Sequence, residues 1–127
     1  MQKKLSPSVR IKYFDKEAVQ QAIGQFVEQI KQNRPEVKKV VLFGSFVRGE
    51  SVPGSDIDLL IILRESNLPL LERIPQYMPS RFPVTVDVFP YTEDELREMV
   101  SQGNFFVKKA LQEGREIFPS GNNKEEK

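Results

Sequence analysis

Val40-Val41-Leu42-Phe43-Gly44-Ser45-Phe46-Val47-Arg48-Gly49 and, six residues on, Asp56-Ile57-Asp58-Leu59-Leu60-Ile61-Ile62-Leu63 form the stretch that decides the fold. The run from Lys39 to Phe43 is β-branched and apolar and stops at Gly44, as a buried strand does. Ser45 to Gly49 can start a short helix, and Ser51 to Ser55, with Pro53 and Gly54, reads as a loop. Asp56 to Leu63 reads as a second strand. Side chains alternate along a strand, so Asp56, Asp58 and Leu60 share one face while Ile57, Leu59 and Ile61 share the other. Two carboxylates are therefore neighbours at the start of a strand whose remainder is aliphatic.

Upstream, Asp15 can cap a helix running to about Asn33. Ala18, Ala22, Phe26 and Ile30 recur at four-residue spacing, with Val19, Ile23 and Val27 beside them, and Pro35 follows the pattern's end. Downstream, Asn67 to about Ser80 reads as helix made irregular by Pro69, Pro75 and Pro79. Val84 to Phe89 reads as a third strand, closed by Pro90 and carrying Asp87 between two valines. Thr92-Glu93-Asp94-Glu95 is a capping box that opens a helix through about Ser101. Asn104 caps a last helix with Phe105, Phe106, Val107, Ala110 and Leu111 on its apolar side, and Gly114 stops it. Glu116 to Phe118 reads as a short edge strand, and the polar stretch 120–127 as a disordered tail behind a single domain over 1–119.

Composition narrows the chemistry. With 19 basic and 18 acidic residues the net charge is +1, so no bulk charge recruits nucleic acid or anionic lipid. The spread is uneven: ten Lys/Arg against five Asp/Glu in residues 1–50 give +5, and nine against thirteen in 51–127 give −4. The chain has no Cys and no His, which excludes disulfides, thiolate or imidazole zinc sites and His-based triads. Any metal must take oxygen ligands, which points to magnesium, with manganese as the alternative. Met1 to Phe14 lacks the apolar core of a signal peptide, and the aliphatic run Leu59 to Leu63 is too short to span a bilayer, so a cytoplasmic location is expected.

The candidate site follows from the acidic residues. If the strand carrying Asp87 lies beside the one carrying Asp56 and Asp58, three carboxylates converge. Their mutual repulsion then calls for divalent cations. Two ions about 3.5–4 Å apart, bridged by carboxylates, clamp the attacking and leaving oxygens of a phosphoryl displacement. Ser-Asp pairs also cap helices and open turns, but five aliphatic residues follow Asp58, and a carboxylate leading into a buried strand needs a reason. Asp87 could alternatively be an edge-strand charge that blocks aggregation. Gly44 lets backbone approach an anion closely, and Ser45 offers an N–H and a hydroxyl. A lone Gly-Ser is ordinarily just a strand-to-helix turn; its weight here comes from the spacing to Asp56. Arg48 can bind phosphate, pair with Asp56 or Glu50, or simply face solvent. Phe105 and Phe106 read as core rather than as a base-stacking platform.

Gly44-Ser45, ten residues, then Asp56-Ile57-Asp58, with Arg48-Gly49 between and Asp87 on a later strand, resembles the minimal nucleotidyltransferase family of the DNA polymerase β-like superfamily. Val47 stands where that family usually has a small residue. The likeness is specific from about Val40 to Leu63 and extends to Asp87. It implies an α/β (α+β) fold, a mixed β-sheet flanked by helices. It also implies that Asp56 and Asp58 hold two metal ions, that Asp87 holds the ion nearer the acceptor, and that Gly44 and Ser45 hold the triphosphate of ATP. Small members of the family are often antitoxins that transfer AMP to a tyrosine of a partner HEPN-type toxin. A single small lobe fits that role, because the acceptor then arrives on a partner protein.

Two other functions compete. A small-molecule nucleotidyltransferase acting on an aminoglycoside-like polycation needs an acidic pocket, which the net −4 of residues 51–127 allows. A non-catalytic module that binds nucleotide and partner needs no intact carboxylates, yet all three are present. The balanced charge and the want of further domains argue against a polymerase on RNA or DNA.

Overall fold

Asp15 caps the first helix as its sequence position requires: its Oδ1 accepts hydrogen bonds from the N–H groups of Glu17 and Ala18 at 3.0 and 3.2 Å. The computed structural model describes residues 15–44 and 57–119. Residues 1–14, 45–56 and 120–127, and with them the short helix and loop read between Ser45 and Ser55, the placements of Ser45, Arg48 and Asp56, and the polar tail, lie outside the described residues. The elements are α1 (Lys16–Asn33), β1 (Val37–Phe43), β2 (Ile57–Leu63), α2 (Leu70–Tyr77), β3 (Val86–Thr92), α3 (Glu93–Ser101), α4 (Phe105–Glu113) and β4 (Arg115–Phe118).

The four strands form one mixed sheet in the order β3-β2-β1-β4. β1 pairs antiparallel with both β2 and β4, and β2 pairs parallel with β3. A parallel pair needs a crossover, and α2 lies within it. β2 is central and apolar throughout except for Asp58, and all its other residues are buried. That is the pattern of a strand covered on both faces.

One face is covered by α1. Val19, Ile23, Phe26 and Ile30, spaced four, three and four apart, pack with Val40, Leu42, Ile57, Leu59, Ile61 and Leu63. The buried stripe is thus centred one residue round from the expected Ala18 and Ala22, which are only half-buried. The other face carries Val41, Phe43, Leu60 and Ile62 against Leu96 of α3 and Val107 and Ala110 of α4. Each fully buried aliphatic of these layers contributes on the order of 1.5–3 kcal/mol of transfer free energy. Gly114 ends α4 close to β1: a Cβ there would lie 2.3 Å from Val41 Cγ1 and 2.5 Å from the Ala110 carbonyl oxygen, so the packing of α4 on the sheet excludes any larger residue.

Three expectations are corrected. β3 does not close at Pro90 but runs to Thr92. β3 is an edge strand, where the missing N–H of proline breaks no inter-strand bond. α2 is shorter than the expected Asn67–Ser80 and accommodates Pro75 within its eight residues. Phe105 and Phe106 are not core: they are 74% and 43% exposed. The buried side of α4 is defined by Val107 and Ala110, and Phe105 lies two residues before Val107, about 200° round the helix.

Candidate active site

The residues that matter stand in one row across the sheet. Phe43, at the end of β1, pairs with Asp58, and Asp58 pairs with Asp87. The same end of the sheet therefore holds the C-terminus of β1 and the N-termini of β2 and β3. Neighbouring strands lie about 4.7–4.9 Å apart, so partners on one face are adjacent side chains. The two strands are neighbours, the condition on which the convergence of carboxylates depended, and Asp58 and Asp87 stand side by side. Asp58 is half-buried and Asp87 is exposed.

The next row inward on that face is apolar. Val41 pairs with Leu60, and Leu60 with Phe89. The carboxylates therefore mark the rim of a hydrophobic layer, with low-dielectric side chains on one side and solvent on the other. Like charges directly opposite on paired strands repel, and an apolar floor strengthens every charge interaction above it. A cation seated between the two carboxylates would reverse that repulsion.

Gly44 touches the acidic row directly. It has φ +100, a conformation that L side chains rarely adopt, and a Cβ built on it would lie 2.4 Å from Asp58 Oδ2. Glycine is required here twice over, for the backbone turn and for the space that the Asp58 carboxylate occupies. From sequence, Gly44 is expected to end β1 and to let backbone approach an anion closely; the Asp58 contact is additional.

Among the described residues no group of three or more acidic side chains is arranged to hold a metal. The fit to a divalent ion rests on the donor chemistry. Two adjacent carboxylates with oxygen donors only, in a chain without Cys or His, suit magnesium or manganese.

An open groove of about 330 Å³ adjoins Asp58 on the β1 side, lined by Phe43, Phe105, Phe106, Lys109 and Glu113 among others. Phe106 is held in it by edge-on contacts with Phe43 and Phe89, with ring centroids 5.5 and 5.0 Å apart. Lys109 Nζ lies 5.9 Å from the centroid of the Phe105 ring. Sequence reasoning missed this groove. The signal was available in the helical phase of Phe105, which cannot share a face with Val107 and Ala110.

A second charged cluster stands at the opposite end of β3. The guanidinium of Arg73, 4% exposed, donates from Nη1 and Nη2 to Glu95 Oε1 and Oε2 at 2.7 and 2.9 Å. It also donates to the carbonyl oxygens of Leu68 and Pro90 at 2.8 and 2.9 Å. Glu95 completes the capping box: its carboxylate accepts from Thr92 N–H, while Glu95 N–H donates to Thr92 Oγ1. The hydrogen-bonded Arg73 pulls the Glu95 carboxyl down to about 2, with the Thr92 bonds adding to it against the upward push of partial burial. On the α1 side, burial first and a hydrogen bond to Glu36 second raise the Tyr77 phenol. The Arg73–Glu95–Thr92 network ties α2, β3 and α3 together, and the Tyr77–Glu36 bond ties α2 to the residue before β1.

A mixed sheet with paired carboxylates at the strand ends, abutting a left-handed glycine, defines the class to which the comparisons also lead. Residues 23–117 match the family model described as nucleotidyltransferase domain, and the chain belongs to that family. It is a nucleotidyltransferase. Two proteins of Methanocaldococcus jannaschii are similar to it. “Putative protein adenylyltransferase MJ0604” is 27% identical over 100 residues, covering 78% of this chain and 97% of the relative. “Putative protein adenylyltransferase MJ1379” is 32% identical over 90 residues, covering 68% and 81%. A crystal structure titled a putative nucleotidyltransferase from Sulfolobus solfataricus is 26% identical, covering 76% of this chain and 82% of that one, with a TM-score of 0.46. No helix among the described residues is long and apolar enough to cross a membrane.

Proposed function

We propose that this nucleotidyltransferase moves AMP from ATP to a hydroxyl group of a protein partner, using magnesium held at the acidic row. The observation that carries the reading is the pairing of Asp58 with Asp87 beside Gly44. Asp56 and Asp58 would hold two ions, and Asp87 the one nearer the acceptor. When bound, such ions supply Lewis-acid charge and lower the pKa of a nearby hydroxyl. The chain's own groups do the rest. Gly44 and Ser45 receive the triphosphate, with Arg48 on its phosphates. The apolar row beneath Asp58 and Asp87 lowers the local dielectric and so strengthens the charge interactions above it. The new bond joins the acceptor oxygen to the α-phosphorus, the bond from that phosphorus to the bridging oxygen breaks, pyrophosphate leaves, and the hydroxyl proton passes to water.

The names of the two archaeal relatives support a protein acceptor. A tyrosine of a HEPN-type toxin is the acceptor that the family resemblance favours, with the chain as cytoplasmic antitoxin. The test is incubation with labelled ATP, magnesium and the product of the neighbouring gene, followed by mass spectrometry. AMP added to the partner by the wild type and none by Asp58→Ala is the expected result. Equal neutralisation of an unmodified partner by Asp58→Ala would make the chain a binding module instead.

A further inference from the structure

Gly24 stands in the middle of α1 and is exposed. A glycine inside a helix is less favourable than alanine, because its backbone loses more freedom on folding. The fold itself does not call for one here: a Cβ built on Gly24 would meet no atom of the described residues within 4 Å, and its φ is not positive. The open space belongs to a groove of about 420 Å³ between α1 and the edge strand β4, lined by Ile23, Val27 and Ile117 beside Gly24. Val27 and Ile117 are half-buried, so the groove has an apolar floor left partly in water.

The polar residues around Gly24 indicate what fills it. Glu17, Gln20, Gly24, Glu28 and Lys31 follow one another at spacings of three, four, four and three, so they form one stripe along the side of α1, and all are exposed. That spacing reads the same in both directions from Gly24. A second α1 laid antiparallel across the first, with the two Gly24 residues at the crossing, opposes Glu17 to the partner's Lys31 and Gln20 to the partner's Glu28. Glu17 and Lys31 each lie seven residues from Gly24, about 10.5 Å along the helix axis. Charge matches as well as distance: a carboxylate meets an ammonium, and a carboxamide N–H meets a carboxylate. A parallel copy would set like against like. Lys31 pairs with Glu28 of its own helix at 3.4 Å, but both side chains are more than half exposed, and such a pair loses little on rearranging. Glycine at the crossing lets the two backbones approach closely, so that Val27 of each copy reaches the apolar floor of the other.

We infer that this side of α1 is a self-association surface, on which two copies of the chain pair through an antiparallel, two-fold contact of their α1 helices centred on Gly24. A two-fold contact is isologous, so each polar pair occurs twice and each groove receives the other copy's helix. The acidic row takes no part in this surface, so the inference stands apart from the reaction assigned to that row.

Sedimentation equilibrium over a wide range of protein concentration should show the wild type in reversible exchange between monomer and dimer. Gly24→Leu puts a branched side chain at the crossing and should leave only monomer. Its melting temperature, read at a concentration where the wild type is monomeric, should not fall, because the space is open within one copy. Lys31→Glu and Glu17→Lys should each weaken dimerisation about tenfold, since two attractive pairs become two repulsive ones. Combining the two substitutions should restore it. A wild type that is monomeric at every concentration overturns the inference. A dimer that survives Gly24→Leu also overturns it, by placing the contact on another surface, and a double variant that stays weak contradicts the antiparallel register. A monomeric wild type that Gly24→Leu destabilises would assign the groove to another segment of the same chain.

Discussion

The two ends of β3 carry charge in opposite ways. At its last residues, Thr92, Glu95 and Arg73 form a closed network in which a nearly buried cation meets a bidentate carboxylate and two backbone carbonyls. At its first residues, a carboxylate stands directly beside another carboxylate. The first arrangement has every charge answered within the fold and joins three elements. The second places like charges together at the rim of an apolar layer, where a bound cation would relieve their repulsion. Under the proposed function the first arrangement holds structure and the second receives a cation.

The largest effect that could break this contrast concerns activity. Asp58→Ala and Asp87→Ala should each cost several kcal/mol of transition-state stabilisation, on the order of a thousandfold in rate. Asp87→Ala should not lower thermal stability, since Asp87 is exposed and its loss relieves a like-charge neighbour. Steady-state transfer assays beside thermal melts read both quantities. A variant that melts early with its rate intact would exchange the roles of the two ends.

Glu95→Ala should do the reverse. It removes the carboxylate from the Arg73 guanidinium, which keeps its bonds to the Leu68 and Pro90 carbonyls; with the Glu95 side chain itself 43% exposed the cost should be about 1.5–2 kcal/mol by denaturant unfolding, while folded protein keeps its transfer rate. The same pair has a pH signature. The Glu95 carboxyl sits at about 2 in the fold, below its ordinary range near 4.5. Its contribution is therefore complete above the ordinary value and is lost as pH falls from there toward 2. Glu95→Gln should flatten that acid limb of the stability curve. An acid limb identical to wild type would show that the pair does not set it.

Gly44→Ala sharpens the contrast at the acidic end. The added methyl would meet Asp58 Oδ2 at 2.4 Å. The positive φ costs about 1–2 kcal/mol for an L residue, and a carboxylate displaced by an ångström can cost about a hundredfold in rate. Kinetics and melts of this variant should show both losses. A fully active, fully stable Gly44→Ala would mean that Asp58 does not need the position the fold gives it.

Much of this was legible in local sequence, because local interactions set it. The Asp15 cap, the Thr92 capping box, the Asn104 cap and the Gly114 stop each depend on residues within four positions, and all fall where the sequence placed them. The pairing of Asp58 with Asp87 needed only one conditional step, that their strands be neighbours. What was not legible depends on distant partners. Arg73 and Glu95 are 22 residues apart, and no periodicity announces a buried guanidinium. The extension of β3 through Pro90 follows from its edge position, which only the sheet order reveals. Phe105 was misread because aromatic residues in an amphipathic helix ordinarily face the core, and hydrophobicity outweighed helical phase. Ser45, Arg48 and Asp56 lie outside the described residues, so their part in the site rests on the motif.

The most direct measurement of the central claim is a manganese titration followed by electron paramagnetic resonance, in the presence of a non-hydrolysable ATP analogue. If the carboxylate row holds the metal, the wild type should bind manganese in a nucleotide-dependent manner, and both Asp58→Asn and Asp87→Asn should lose most of that binding while Glu95→Gln retains it. Undiminished manganese binding in the Asp58→Asn and Asp87→Asn variants would contradict the assignment of the active site to this end of the sheet.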